Sequence, residues 1–296
     1  VFMLVVTVVF LVALKTIKNV MPQHKAHLDY WSVLSSVGFI GLLYVVNQIG
    51  KTAVNWGWMS GLLIVSLLAV AYFVWRQFHV ATPLLDLRVL KTVNFDLAVL
   101  LTGTSYIALI VVTIIFPLYY QEVLGISPFA SGMALVPGAV VLSLLNPLTG
   151  KLADRIGFKA TMLTGMTMIV LGWLWLVLVG GRQSLVAMMV IAALIEGGNA
   201  FVMMPAVTLG ANSLPDQLIS HGTAVITTVR QILGSTGVAV ATLVLALVTS
   251  SHLPRMSRTA ASLAGYQAVF LTFLAVAVVG WIFAAMLRDG RQSTKS

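Results

Sequence analysis

One carboxylate stands deep inside an apolar run: Glu196, in ALIEGGNAFVMMP. It lies twelve residues from either end of the run 184–208 and is the only acid placed so deeply. Asn199 and Met203 follow at i+3 and i+7, which a helix brings to the same face. A carboxyl group there can exchange a proton or bind a cationic substrate. The plainer alternative is a structural hydrogen bond to a neighbouring helix. A second charge, Arg230, stands about seven residues into the run 223–249. Thr223, Thr227, Gln231, Gly234 and Gly237 share its side of a helix. Small residues permit close helix approach, so this stripe should face protein, with Gly234 and Gly237 as packing positions. An arginine that snorkels to the headgroups is the alternative, and structure or gating stands ahead of substrate contact. Tyr106, with Thr102 and Thr113, makes a weaker stripe on 95–118. Tyr106 can line a cavity, although an aromatic at this spacing more often packs. Tyr119 and Tyr120 read as interfacial belt anchors.

The elements that position these residues follow from composition. The chain of 296 residues is 59% hydrophobic and 8% charged, against about 25% charged for a soluble domain. Its surface therefore meets lipid. Eight apolar runs are long enough to cross a bilayer: 30–49, 57–76, 95–118, 131–150, 160–180, 184–208, 223–249 and 267–287. A spanning helix needs about 20 residues, and lipid admits only helices or closed barrels. The fold class is an all-α polytopic membrane bundle. The opening VFMLVVTVVFLVAL reads as the end of a truncated span. Pro117, Pro137, Pro147 and Pro205 can bend spans or shape their packing.

Other chemistry is absent from the pattern. The chain has no cysteine, and its five histidines form no metal-ligand spacing. No P-loop, dinucleotide fingerprint or nucleophile triad is present, so neither an enzyme nor a cofactor is expected. The net charge of +9 is scattered over short connectors, which argues against a nucleic-acid partner. Assigned alternately to two sides, the connectors carry twelve Lys and Arg against four. The positive-inside rule makes the richer side cytoplasmic and the C-terminus with it. The expected organisation is 1–14 span end, 15–29 connector, 30–76 two-span hairpin, 77–94 connector, 95–288 six spans and 289–296 tail.

The connector GKLADRIGFKA (150–160) holds four charges in eleven residues. Gly150, Leu152, Ala153, Asp154, Arg155, Gly157 and Lys159 resemble the cytoplasmic-loop motif of the major facilitator superfamily, with Phe158 in place of a basic residue. FPLYYQEVLGISPFASGMALVPG (116–138), SHGTAVITTVRQILGSTGVAV (220–240) and GYQAVF (265–270) are similar to signatures of its fourteen-span drug:proton antiporter branch. The resemblance covers essentially the whole chain. It implies a C-terminal six-span half, an inserted hairpin at 30–76, and a partner N-terminal six-span half of the same chain. It further implies a proton gradient as energy source, small amphiphilic substrates, and a bacterial inner membrane. Asp154 would act as a latch on the cytoplasmic face, in a tight turn between spans. A non-transporting scaffold or sensor, an exporter of one native metabolite, and an enzyme on lipid-linked substrates are the competing readings.

Overall fold

The computed structural model describes residues 6–7, 10, 12, 29–48, 55–80, 83–253 and 256–287. The connector 15–28, the tail 289–296 and most of the run 1–14 lie outside them. Nine α-helices follow in order among the described residues from 29 onward: α1 Tyr30–Gln48, α2 Trp56–His79, α3 Val93–Glu122, α4 Pro128–Met133, α5 Val136–Ile156, α6 Phe158–Val179, α7 Leu185–Asn212, α8 Ile219–His252 and α9 Arg258–Met286. No strand occurs among them. Seven helical segments are long and apolar enough to cross a membrane, and Tyr30–Val46 forms a shorter apolar helix.

Polar residues mark where the helices begin. The side chains of Asn55, Ser127, Ser184 and Ser257 each accept a hydrogen bond from a first-turn backbone N–H of α2, α4, α7 and α9. Such caps satisfy donors that the helix itself leaves open. Short links make successive long helices antiparallel. One end of the bundle carries Gly157 and the starts of α3 and α8; the opposite end carries Gly180 and the starts of α7 and α9.

Three boundaries differ from the sequence reading in a way that matters. The segment 150–156 is not part of a loop: α5 continues through it to Ile156, and the reversal is made by Gly157 alone, at φ 97°. That backbone region suits glycine because it has no Cβ. Helix α8 starts at Ile219, so Arg230 lies farther in than a start at 223 implies. GYQAVF likewise falls inside α9, which begins at Arg258.

The core is aromatic near the Gly180 end. Trp173, Tyr119, Tyr120, Tyr266, Phe116 and Phe270 are fully buried. Phe116 meets Trp173 edge-on at 6.0 Å, and Tyr119 meets Tyr266 edge-on at 5.2 Å. Each such pair contributes about 0.5–1.5 kcal/mol beyond area burial. Tyr119 and Tyr120 are therefore core residues rather than belt anchors. They come from the buried side of α3, and the Tyr119 hydroxyl accepts from the backbone N–H of Gln183 at 2.7 Å. A second core, with Val89, Phe95, Val99, Leu214, Val225 and Ile226, closes the Gly157 end. The outward faces carry many exposed large apolar side chains, including Leu144, Leu178, Val190 and Leu271.

Helices α1 and α2 pair closely, with Gly38 of α1 against Ala69 and the Ser66 carbonyl of α2. At the Gly157 end they are tied by a two-pronged ion pair. Arg76 donates from Nε and Nη2 to the two Asp29 oxygens at 2.6 and 2.7 Å. The Arg76 guanidinium, and then the Ser32 hydroxyl, hold the Asp29 carboxyl well below its ordinary value of 3.8. A depressed carboxylate contributes stability above the unfolded value and loses it as pH falls through the folded one. Asp29→Asn should thus lower the thermal stability of the detergent-solubilised protein at pH 7. The gap to wild type should close only in strong acid. An equal gap at every pH would contradict the role of this pair.

Candidate functional site

Glu196 is the twelfth residue of α7 and is only 4% exposed. Its carboxylate lies on the backbone of Gly138, near the start of α5. A Cβ built on Gly138 would stand 2.9 Å from Oε2 and 3.0 Å from Oε1. Gly138 is thus the space the carboxylate occupies. Among the described residues the ion pairs are Asp29–Arg76 and Arg88–Asp86, so no cation neutralises Glu196. Three residues on, Asn199 turns to α3: its Nδ2 donates to the carbonyl and to the hydroxyl of Ser105, both at 2.7 Å. Its Oδ1 is buried with no partner. Near the far end of α5, the Thr149 hydroxyl donates to the Ala200 carbonyl at 2.9 Å, so α7 is fastened to α3 and to α5 one turn beyond the acid. Ser105, Thr149 and Gly138 were not singled out by the sequence. Their only signal is a small or hydroxyl residue in an apolar run, which many non-functional positions share.

The next residue of α3 builds a second cluster. The Arg230 guanidinium lies over the Tyr106 ring, 5.0 Å from its centroid. The Tyr106 hydroxyl donates to Oε1 of Gln231 at 3.4 Å. Gly234, one turn on, admits the ring: a Cβ there would stand 2.7 Å from Tyr106 Cε1. Gly237 meets Ile107 in the same way. Arginine over an aromatic face is attracted by about 0.5–2 kcal/mol. Arg230 Nε is buried and makes no hydrogen bond. Thr223, Thr227 and Gln231 form an exposed polar stripe along the same helix. Ser105 and Tyr106 are neighbours, so α3 stands between the acid of α7 and the base of α8.

Pro137 is exposed in the first turn of α5 rather than packed, and the close contact there belongs to Gly138. Gly150 also differs from expectation: it is helical, with open space where a Cβ would go. Asp154 and Arg155 are exposed in the last turn of α5. An acid is disfavoured at a helix C-terminus, where the macrodipole is negative. Asp154 makes no ion pair among the described residues. Lys159 lies in the first turn of α6 beyond Gly157. The turn region is therefore a rigid helical corner presenting Asp154 outward. No cluster of metal-ligating side chains occurs among the described residues.

A model of the Major Facilitator Superfamily matches residues 1–238. The chain belongs to that family. It is 36% identical over 277 residues to the uncharacterised MFS-type transporter YcnB of Bacillus subtilis, covering 92% of this chain and 57% of that protein. It is 31% identical over 295 residues to the lincomycin resistance protein LmrB of Listeria monocytogenes, covering 96% of this chain and 62% of that protein. The multidrug resistance protein Stp of Mycobacterium tuberculosis is 28% identical over 207 residues, 68% of this chain and 38% of Stp. The chain thus spans less than two thirds of these relatives' own length. It is an integral membrane chain of a transporter superfamily, not an enzyme.

Proposed function

We propose that this chain forms the greater part of a proton-coupled secondary exporter of small amphiphilic compounds. The observation that carries the reading is the Glu196 carboxylate, buried in α7 against Gly138 and without a cation beside it. A charge near the bilayer centre costs about 2.5–3.5 kcal/mol on insertion scales. A carboxyl group can shed that cost by taking a proton and accept it again when a cationic substrate arrives. Exchange between the two is antiport. Two relatives are named for lincomycin resistance and for multidrug resistance, which supports amphiphilic drugs as the substrate class.

In this account residues 95–288 are a transport half that rocks against a further six-span half. The α1–α2 pair is an insertion between the halves. Tyr106, Arg230 and Gln231 would line a cavity between the two halves, with the exposed threonine stripe of α8 facing its water. The membrane is the bacterial inner membrane, with the Gly157 end and the C-terminus cytoplasmic. The excess of Lys and Arg at that end supports this orientation. The test is efflux of lincomycin and a lipophilic cationic dye from cells or everted vesicles carrying the full-length protein. A protonophore should stop efflux. Efflux that survives collapse of the proton gradient would overturn the reading.

Asp154 is assigned to the gate, as a contact that closes the cytoplasmic face when the cavity opens outward. Its exposure at an unfavourable helix end supports a partner beyond α5. Asp154→Asn should lower efflux severalfold while the amount of folded protein in the membrane changes little. Equal losses of both, compared by transport rate and fluorescence-detected size exclusion, would make Asp154 structural only.

A further inference from the structure

A cavity of about 690 Å³ opens at the Gly180 end, between the last turns of α8, the first turns of α9 and the end of α3. Nothing in the transport reading uses it. Its lining includes Glu122, Arg258, Thr249, Ser262, Leu245 and Leu253. The volume is that of a site for a small molecule, since ligand pockets run from about 300 to 1,000 Å³.

The charges around it are misplaced as far as their own helices are concerned. Glu122 is the last residue of α3, at a helix C-terminus, and Arg258 is the first residue of α9, at a helix N-terminus. The macrodipole disfavours an acid at the first position and a base at the second. The two are not paired with each other, because the ion pairs among the described residues lie elsewhere. Glu122 is nevertheless held. The hydroxyl of fully buried Tyr266 donates to its Oε2 at 2.9 Å, and Tyr266 is itself clamped by the rings of Tyr119 and Phe270. A rigid tyrosine thus presents a carboxylate at a cavity mouth. Between the charges lies Ser262, while Thr249 lines the wall with its Oγ1 buried against Gly265. Leu245 and Leu253 add an apolar wall.

We infer that this cavity binds a zwitterionic group of the phosphoethanolamine type. Its ammonium would meet Glu122, its anionic oxygens Arg258, and a neighbouring polar atom the Ser262 hydroxyl. A charge-assisted hydrogen bond suits each end. The cavity lies where the apolar helices end, at headgroup depth. A membrane lipid and a free zwitterion are therefore both sources of the same chemistry.

The test uses purified full-length protein and reads thermal unfolding during titration. The probes are phosphatidylethanolamine, phosphatidylglycerol and soluble glycerophosphoethanolamine. Phosphatidylethanolamine should raise the melting temperature, and phosphatidylglycerol, which lacks the ammonium, should do so far less. Glu122→Gln and Arg258→Gln should each weaken half-saturation by about tenfold or more, the size expected for one charge-assisted bond. Glutamine keeps an oxygen that can accept from Tyr266, and Arg258 is exposed, so the ligand-free melting temperatures should stay near wild type. A shift with soluble glycerophosphoethanolamine as well supports the site with a free zwitterion as occupant. A shift with the diacyl lipid alone supports it with a membrane lipid. Equal shifts from both lipids, or unchanged half-saturation in both variants, overturn the inference. The readout is binding, so it stands apart from whether the protein exports drugs.

Discussion

Glu196→Gln should abolish gradient-driven efflux while leaving the bundle assembled. Glutamine keeps the length and shape of the side chain, so the contact with Gly138 and the packing of α5 on α7 persist. What disappears is the ability to bind and release a proton. A positioned proton-transfer group contributes about a hundredfold or more to rate where it has been removed, and a loss of that size is expected in protonophore-sensitive efflux. Glu196→Asp should be intermediate, because the shorter side chain retracts the carboxylate from Gly138. Gly138→Ala acts from the other side. Its methyl group would occupy the carboxylate's place, 2.9 Å from Oε2, and the flexible glutamate must move aside. Folded protein should remain near wild type, while the pH dependence of efflux shifts. Full proton-coupled efflux in Glu196→Gln would remove this residue from the coupling mechanism.

Gly165→Val should produce the largest loss of folded protein. A Cβ on Gly165 would stand 2.5 Å from the carbonyl oxygen of Gly198, and a Cβ on Gly198 would stand 2.6 Å from the carbonyl oxygen of Gly165. The two glycines let the backbones of α6 and α7 touch, just beyond Glu196. Backbone at such a crossing cannot rotate away as a side chain can. Overpacking costs about 1–3 kcal/mol where neighbours can adjust, so the top of that range or more is expected here. At 1.4 kcal/mol per tenfold, the ratio of folded to unfolded protein falls by about a hundredfold. Gly150→Ala supplies the contrast. Gly150 is helical with open space around it. Alanine should be tolerated there, or stabilise by about 0.5–1 kcal/mol. Fluorescence-detected size exclusion of the three proteins separates the cases. Wild-type yield for Gly165→Val would contradict the crossing.

The helices were legible in the sequence because lipid leaves little choice: a run of about 20 apolar residues in a chain this poor in charge must be a helix. Their ends were less legible. Polar residues at 150–156 read as a loop, yet a polar helical turn beyond the apolar core is equally compatible with them. Only the positive φ of Gly157 decides where the chain reverses. Glu196 and Arg230 were legible because intramembrane charge is rare. That Arg230 lies on Tyr106, and that Asn199 reaches Ser105, depends on helix rotation. Hydrophobic periodicity cannot fix that rotation when a helix is apolar all round, as α3 and α7 nearly are. Tyr119 and Tyr120 misled for the same reason. A tyrosine near a span end suits either a lipid interface or a core, and their burial follows from contacts with α6, α7 and α9.

The most direct measurement is proton movement driven by substrate in sealed proteoliposomes containing the full-length protein and an internal pH dye. With a compound found to be exported, substrate added on one side should drive protons the opposite way at once in wild-type vesicles. Glu196→Gln vesicles, loaded with equal folded protein, should show no such signal. Substrate transport with no proton movement in wild type, or an undiminished proton signal in Glu196→Gln, would contradict the account.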